Sequence, residues 1–302
     1  MIFVGNTSYK VIGAPNSYWD CSVHIPHYIT GTSTAASETI TLQFVDAVGG
    51  VTTETLVMPV TNGSFSYKYK DKQIYSLSDA FYGKTSVTSV AFDEDMSKCV
   101  SFYNSTTDRG SFEGCTGLTT ISFSLDTTLD SVITARQAFK GCTGLSYFDA
   151  LSDMSFAGLT DAGSMFEGCS NMTYISLASA TFESLDECSR MLKGCSSVVV
   201  VDLSSANFHN VVDQGSYEMF YNCLSMTNLI VPASSDIGYF ADSELDLSKT
   251  ALNYNYYINS NLYEWLGSQG GNLYVSSSIS SMNLNYINNK YTRKNWKAYK
   301  KS

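Results

Sequence analysis

Apolar positions along the chain follow two different rhythms. Between residues 39 and 70 they alternate with polar ones, in TITLQFV (39–45), VTTETLVMPV (51–60) and SFSYKYK (64–70). A period of two puts one set of side chains on a core face and the other in water, the pattern of a half-buried β-strand. Gly49-Gly50 and Asn62-Gly63 separate these runs, supplying residues that accept the positive φ of a hairpin turn. A small antiparallel β unit is therefore predicted over residues 1–77.

From about residue 78 a longer period takes over. FYGKTSVTSVAF begins at 81, FEGCTGLTTISF at 112, FKGCTGLSYFDA at 139, FEGCSNMTYISL at 166, LKGCSSVVVVDL at 192 and FYNCLSMTNLIV at 220. Six copies that step by 26 to 31 residues are the signature of a solenoid, in which one unit buries its apolar face only against the next. Each F-x-G-C element leads into a strand with two apolar columns: Leu118, Leu145, Met172, Val198 and Met226, then Ile121, Phe148, Ile175, Val201 and Leu229. A third column follows at Phe156, Phe182 and Phe208, each with Leu159, Leu185 or Val211 three residues on. The stretches before F-x-G-C (TARQAF, GSMF, CSRML, SYEMF) hold moderate helix formers ahead of a glycine, so each coil is predicted to be strand, bend and short helical turn. Residues 236–302 lose the strict repeat. They offer a helix candidate at 253–267, a strand at 272–276 and a last helix at 291–300, and are predicted to cap the open end of the array.

The units SMFEGCSNMTYISLASATFESL and EMFYNCLSMTNLIVP closely resemble the BspA-like leucine-rich repeats of bacterial and protist surface proteins. The resemblance covers about half the chain. Lys84 stands in place of the cysteine in the first copy, Leu192 in place of phenylalanine in the fifth and Asn222 in place of glycine in the sixth. It implies an α/β leucine-rich-repeat solenoid of parallel strands and short helical turns over residues 78–235, between an N-terminal antiparallel β unit (1–77) and a C-terminal cap (236–302). It also implies adhesion or recognition as the activity and brings no catalytic residues with it.

Charge narrows the partners. The formal net charge is −10, with 18 basic and 28 acidic residues, and a nucleic-acid partner would require clustered Lys and Arg. The basic residues concentrate at one end, where Lys290, Arg293, Lys294, Lys297, Lys300 and Lys301 fall in the last 13 positions. No apolar run reaches the length of about 18 to 20 residues that spans a membrane, so membrane insertion is not expected. The start, MIFVGNTSYK, lacks the basic and apolar regions of a secretory signal. An extracellular or cell-surface site then requires a signal removed from this chain, and the alternative is a phage or prophage virion protein assembled through the N-terminal β unit.

Candidate chemistry is sparse. Cys115, Cys142, Cys169, Cys195 and Cys223 share one repeat position and would stack about 4.8 Å apart. Parallel side chains seldom reach the dihedral of a disulfide, so buried, unreactive thiols are expected. Only three histidines are present: His24 and His27 form an H-x-x-H pair without a third ligand, and His209 stands elsewhere. No GxSxG, HExxH or P-loop occurs, so neither an enzyme nor a metal or other cofactor is predicted; an accessory binding module of a larger enzyme is the remaining catalytic context. The strand positions that flank the inward column must face outward. These are Thr120, Tyr147, Tyr174, Val200 and Asn228, and beside them Ser122, Asp149, Ser176, Asp202 and Ile230. Tyr147, Asp149, Tyr174, Ser176 and Asp202 are the candidate ligand-binding residues, tyrosine as amphipathic anchor and the polar neighbours as hydrogen-bonding groups. The expected partner is a protein or glycan of a host or neighbouring cell.

Overall fold

The computed structural model describes residues 26–94, 96–124, 127–148, 155–177, 180, 182–203, 210–211, 215, 218–230, 271–275, 285 and 296–300. Its first strands are β1 (His27–Ser33), β2 (Ser37–Asp46), β3 (Val51–Pro59), β4 (Ser64–Tyr69) and β5 (Lys72–Ser76). The alternation survives in three dimensions: Ile40, Leu42 and Phe44 of β2 are buried while Thr39 and Thr41 are exposed. β2 and β3 pair antiparallel from Ser37↔Pro59 to Val45↔Val51, and β5 completes the sheet β3-β2-β5. β4 does not continue the β2–β3 hairpin. It pairs with β1 instead of β3, in a second sheet packed on the first, where Phe44 of β2 and Tyr69 of β4 lie 5.1 Å apart between ring centroids. At Gly31 of β1 a Cβ would fall 2.4 Å from the Phe65 ring, so glycine lets that buried ring lie flat over the neighbouring strand.

The N-terminal unit is not closed against the repeats. β6 (Val87–Phe92), the strand of the first copy, pairs antiparallel with β1 on one side and parallel with β9 (Thr120–Ser122) on the other. The sheet β4-β1-β6-β9 therefore joins cap to array. Between them β7 (Tyr103–Asn104) and β8 (Arg109–Gly110) form a short hairpin. Further along, β10 (Tyr147–Phe148), β11 (Tyr174–Ser176), β12 (Val200–Asp202), β13 (Asn228–Ile230), β14 (Gly271–Val275) and β15 (Trp296–Lys300) follow one another in a single parallel sheet. The five repeat strands β9 to β13 lie where the period predicts, with β9 in the sheet of β6 and β10 opening the other. β15 corrects the expected last helix: WKAYK alternates with period two, and its backbone pairs residue for residue with β14. The helix candidate at 253–267 and Phe208 lie outside the described residues.

The bend of each copy is also corrected. No α-helix precedes F-x-G-C among the described repeat residues; the chain there runs through turns. Gln137, Ser164, Arg190 and Glu218, each two residues before the Phe or Leu, have φ between 53° and 57°, and Gly141, Gly168 and Gly194, two residues after, have φ between 71° and 75°. A right-handed helix cannot pass through two left-handed residues per turn. The amides that a helix would use internally bond across units instead. Phe112, Phe139 and Phe166 donate to the carbonyls of Ala138, Met165 and Met191, and Gly114, Gly141 and Gly168 to those of Lys140, Glu167 and Lys193, all at 2.7–2.8 Å. Asn222, which replaces glycine in the sixth copy, holds φ 60°, and asparagine is among the few non-glycine residues that accept this region.

Side chains stack in the same register. Phe81, Phe112, Phe139 and Phe166 are all fully buried, with successive centroids 4.9, 5.3 and 5.4 Å apart and planes within 10°. Leu118, Leu145, Met172, Val198 and Met226 are buried without exception, as are Ile121, Ile175 and Val201 of the second column and Phe156 and Phe182 of the third.

Candidate functional site

The cysteine column explains itself once the Phe ladder is in place. Each Cys amide closes the turn on the carbonyl of the Phe, or for Cys195 the Leu, three residues before it, as Cys142 does on Phe139 at 3.1 Å. Each thiol reaches back to the preceding copy: Cys115 Sγ donates to Phe81 O (2.8 Å), Cys142 to Phe112 O (2.9 Å), and Cys169, Cys195 and Cys223 to the carbonyls of Phe139, Phe166 and Leu192 (3.1 Å each). The position therefore calls for a small apolar residue with one weak donor, which cysteine alone supplies. These thiols are unbridged and buried. Burial pushes those of Cys115 and Cys195 up to about 12, and those of Cys169 and Cys223 well above the ordinary value for the same reason. A thiol held neutral is neither nucleophile nor metal ligand. Among the described residues no group of three or more His, Cys, Asp or Glu is placed to hold a metal ion. His27 faces Asp93, with Nδ1 3.5 Å from Oδ1; His24 lies outside the described residues.

In the first copy Lys84 occupies the cysteine position and meets the cap rather than a preceding repeat. Its Nζ lies 3.8 Å from Glu38 Oε2. The Glu38 side chain is only 2% exposed, and its Oε1 also accepts hydrogen bonds from Ser33 Oγ (2.5 Å) and Ser86 Oγ (2.7 Å). The departure from the repeat pattern is thus the fitting that joins β2 of the cap to the array.

On the outward face of the sheet β10 to β15 the candidate residues divide. Tyr147 and Tyr174 are register partners, and their rings stack 6.0 Å apart with planes at 20°. Tyr147 is 52% exposed and Tyr174 half-buried, so the pair presents an aromatic step to solvent. Asp202 is half-buried on β12, two residues beyond Val200, the register partner of Tyr174. Ser176 corrects the expectation of an exposed polar group. It is buried, because so short a side chain, in register with Asp202, does not rise above its column. Asp149 lies outside the described residues.

Two residues on this face were absent from the candidate set. The column through Tyr174, Val200 and Asn228 runs on to Asn272 and Lys297, and the column through Ser176 and Asp202 to Tyr274 and Tyr299. Lys297 Nζ sits 5.3 Å from the centroid of the Tyr299 ring, which is 40% exposed. Residues 297 and 299, expected in a last helix, thus stand on this strand face. The alternation in WKAYK is the signal that could have revealed this.

The arrangement offers contact surface and hydrogen-bonding groups. No helix among the described residues is long and apolar enough to cross a membrane. Neither a curated protein nor a solved structure matches the chain. The family model of the BspA type leucine-rich repeat region matches in six copies, over residues 65–198 and 105–244, together more than half of the sequence. The chain belongs to the BspA type leucine-rich repeat family.

Proposed function

We propose that this protein is a non-enzymatic recognition or adhesion protein, secreted or held at a cell surface, whose copies form one continuous solenoid presenting its strand face to a protein or glycan of a host or neighbouring cell. The domain division into 1–77, 78–235 and 236–302 belongs to the same reading, with the first and last parts closing the ends of the array. Family membership, the cross-unit hydrogen bonds and the single file of parallel strands from β10 to β15 support the solenoid.

The observation that carries the functional reading is the stacked pair of exposed Tyr147 and half-buried Tyr174. A rigid aromatic step loses little entropy on binding and supplies the anchors around which interfaces concentrate their energy. Tyr147, Asp149, Tyr174, Ser176 and Asp202 make up the proposed site. Asp202 orients the ligand, and Ser176, buried beside it, acts through the backbone and side chains it packs against. Probing arrays of glycans and extracellular-matrix proteins with the purified chain tests the reading. A ligand retained on such an array, and released when Tyr147→Ser and Tyr174→Ser are combined, is the expected result; a chain that binds nothing on either array contradicts it.

A further inference from the structure

The sheet that joins cap to array carries a second outward face of different chemistry. Thr32 is in register with Ser64 of β4 and Ser89 of β6, and Ser89 with Thr120 of β9, so these four residues form a row across the strands. Two positions along, Ser66, Thr30, Ala91 and Ser122 form a second row in the same way. Phe65, Val90 and Ile121 between the rows are buried, as is Ile29 next to Thr30 on β1, which places both rows on the opposite, outer side. A depression of about 580 Å³ lies over them. Every side chain in the two rows is small, all but Ala91 carry a hydroxyl, and none is charged or aromatic. Neighbouring strands are about 4.8 Å apart and alternate residues along a strand about 6.8 Å, so the hydroxyls form a regular grid. Side-chain hydrogen bonds steady it on one flank: Thr32 Oγ1 lies 2.6 Å from Thr88 Oγ1 and 2.7 Å from Ser89 Oγ, and Thr119 Oγ1 donates to Thr88 O at 2.9 Å.

We propose that this hydroxyl face binds an uncharged, linear polysaccharide laid across the four strands, at a site separate from the tyrosine step. Hydroxyls are costly to cover with a partner that cannot bond them. A polysaccharide brings donors and acceptors of its own and replaces the bound water group for group. A protein interface would need aromatic or arginine anchors at its centre, and the rows have neither. An acidic polymer finds no lysine or arginine lining the depression and meets a chain of net charge −10, so the ligand is neutral. The grid repeats at every strand, as the ligand repeats at every sugar.

Affinity electrophoresis of the full chain through gels containing mixed-linkage β-glucan, xylan or galactomannan, and co-sedimentation with microcrystalline cellulose and chitin, test the proposal, with alginate as the acidic control. At least one neutral polymer should retain the chain and alginate should not. Combining Ser66→Ala, Thr120→Val and Ser122→Ala, all at exposed positions, should weaken retention at least tenfold with the melting temperature unchanged. The Tyr147→Ser/Tyr174→Ser chain should still be retained, which separates this site from the one proposed above. If the triple variant folds poorly, the single exposed change Ser122→Arg, which crowds the depression, must give the same loss. The proposal is overturned if no neutral polymer retains the chain, if alginate retains it equally, if the hydroxyl variants bind as the parent does, or if this face instead binds a protein.

Discussion

The N-terminal β unit and the repeats are held together in opposite ways. In the first, strands of five to ten residues pair along their length and bury one face, so most of the order lies in the strands themselves. In the second, the repeat strands β9 to β13 are only two or three residues long. Order there comes from stacked columns of phenylalanine, leucine and cysteine and from bend amides that bond to the next unit. A repeat copy alone would leave those amides and thiols without acceptors, whereas β2 to β5 all find strand partners inside the N-terminal unit. The array is therefore sensitive at its columns, and the cap at its junction.

The largest effect should come from the Phe ladder. Phe166→Ala removes a fully buried ring stacked on Phe139, and should cost about 3–5 kcal/mol in denaturant unfolding; a loss below about 1 kcal/mol would show that the ladder carries little of the array's stability. At the junction, Glu38→Ala leaves Ser33, Ser86 and Lys84 without their shared partner and should cost about 2–3 kcal/mol. Hydrogen exchange should place the added opening in β2 and β6 and spare β11 and β12. Uniform acceleration would mean that cap and array unfold as one unit.

How much of this was legible follows from the same contrast. Alternation disclosed β2, β3 and β4, and the period of the copies disclosed β9 to β13 and the columns around Leu145 and Phe156. Partner choice within the cap was not legible, because Ser64 to Tyr69 carries the same pattern whether it pairs with β3 or with β1. Strand β1 escaped notice because Gly31 and Thr32 interrupt its apolar run, and the purpose of Gly31, making room for Phe65, appears only in three dimensions. The bend was misread for a physical reason: residues such as Gln137, Met165 and Met191 favour helix locally, and cross-unit hydrogen bonding overrides that preference. At the site, Tyr147 and Tyr174 follow directly from alternation, whereas the burial of Ser176 depends on neighbours 26 residues away.

The thiols give a pH-dependent difference between the two regions, since Cys115 and Cys195 belong to the array and the strands β1 to β5 contain no cysteine. In the unfolded chain these groups ionise near their ordinary 9.0, while in the fold burial holds them neutral to about 12. The stabilisation is thus complete below pH 9 and is lost as the pH climbs toward 12, by about 1.4 kcal/mol per pH unit for each thiol. Urea titrations at pH 8 and at pH 10.5 check this, and Cys195→Ala should flatten the dependence; an unchanged slope would mean that the thiol is not shielded. Smaller still is Gly168→Ala. A Cβ there meets Gly141 Cα at an ordinary 3.8 Å, so only the backbone at φ 75° is strained, at about 1–2 kcal/mol. A neutral result would place this bend outside the left-handed region.

The central claim is that the columns hold the array and the outward tyrosines recognise a ligand. The most direct measurement pairs the melting temperature with the affinity for a ligand from the array screen, in the parent and in Tyr147→Ser/Tyr174→Ser. The account predicts a melting temperature nearly unchanged and binding weaker by about 2 kcal/mol or more. Binding equal to the parent's, with the fold intact, would contradict it and make the strand face a solvated surface alone.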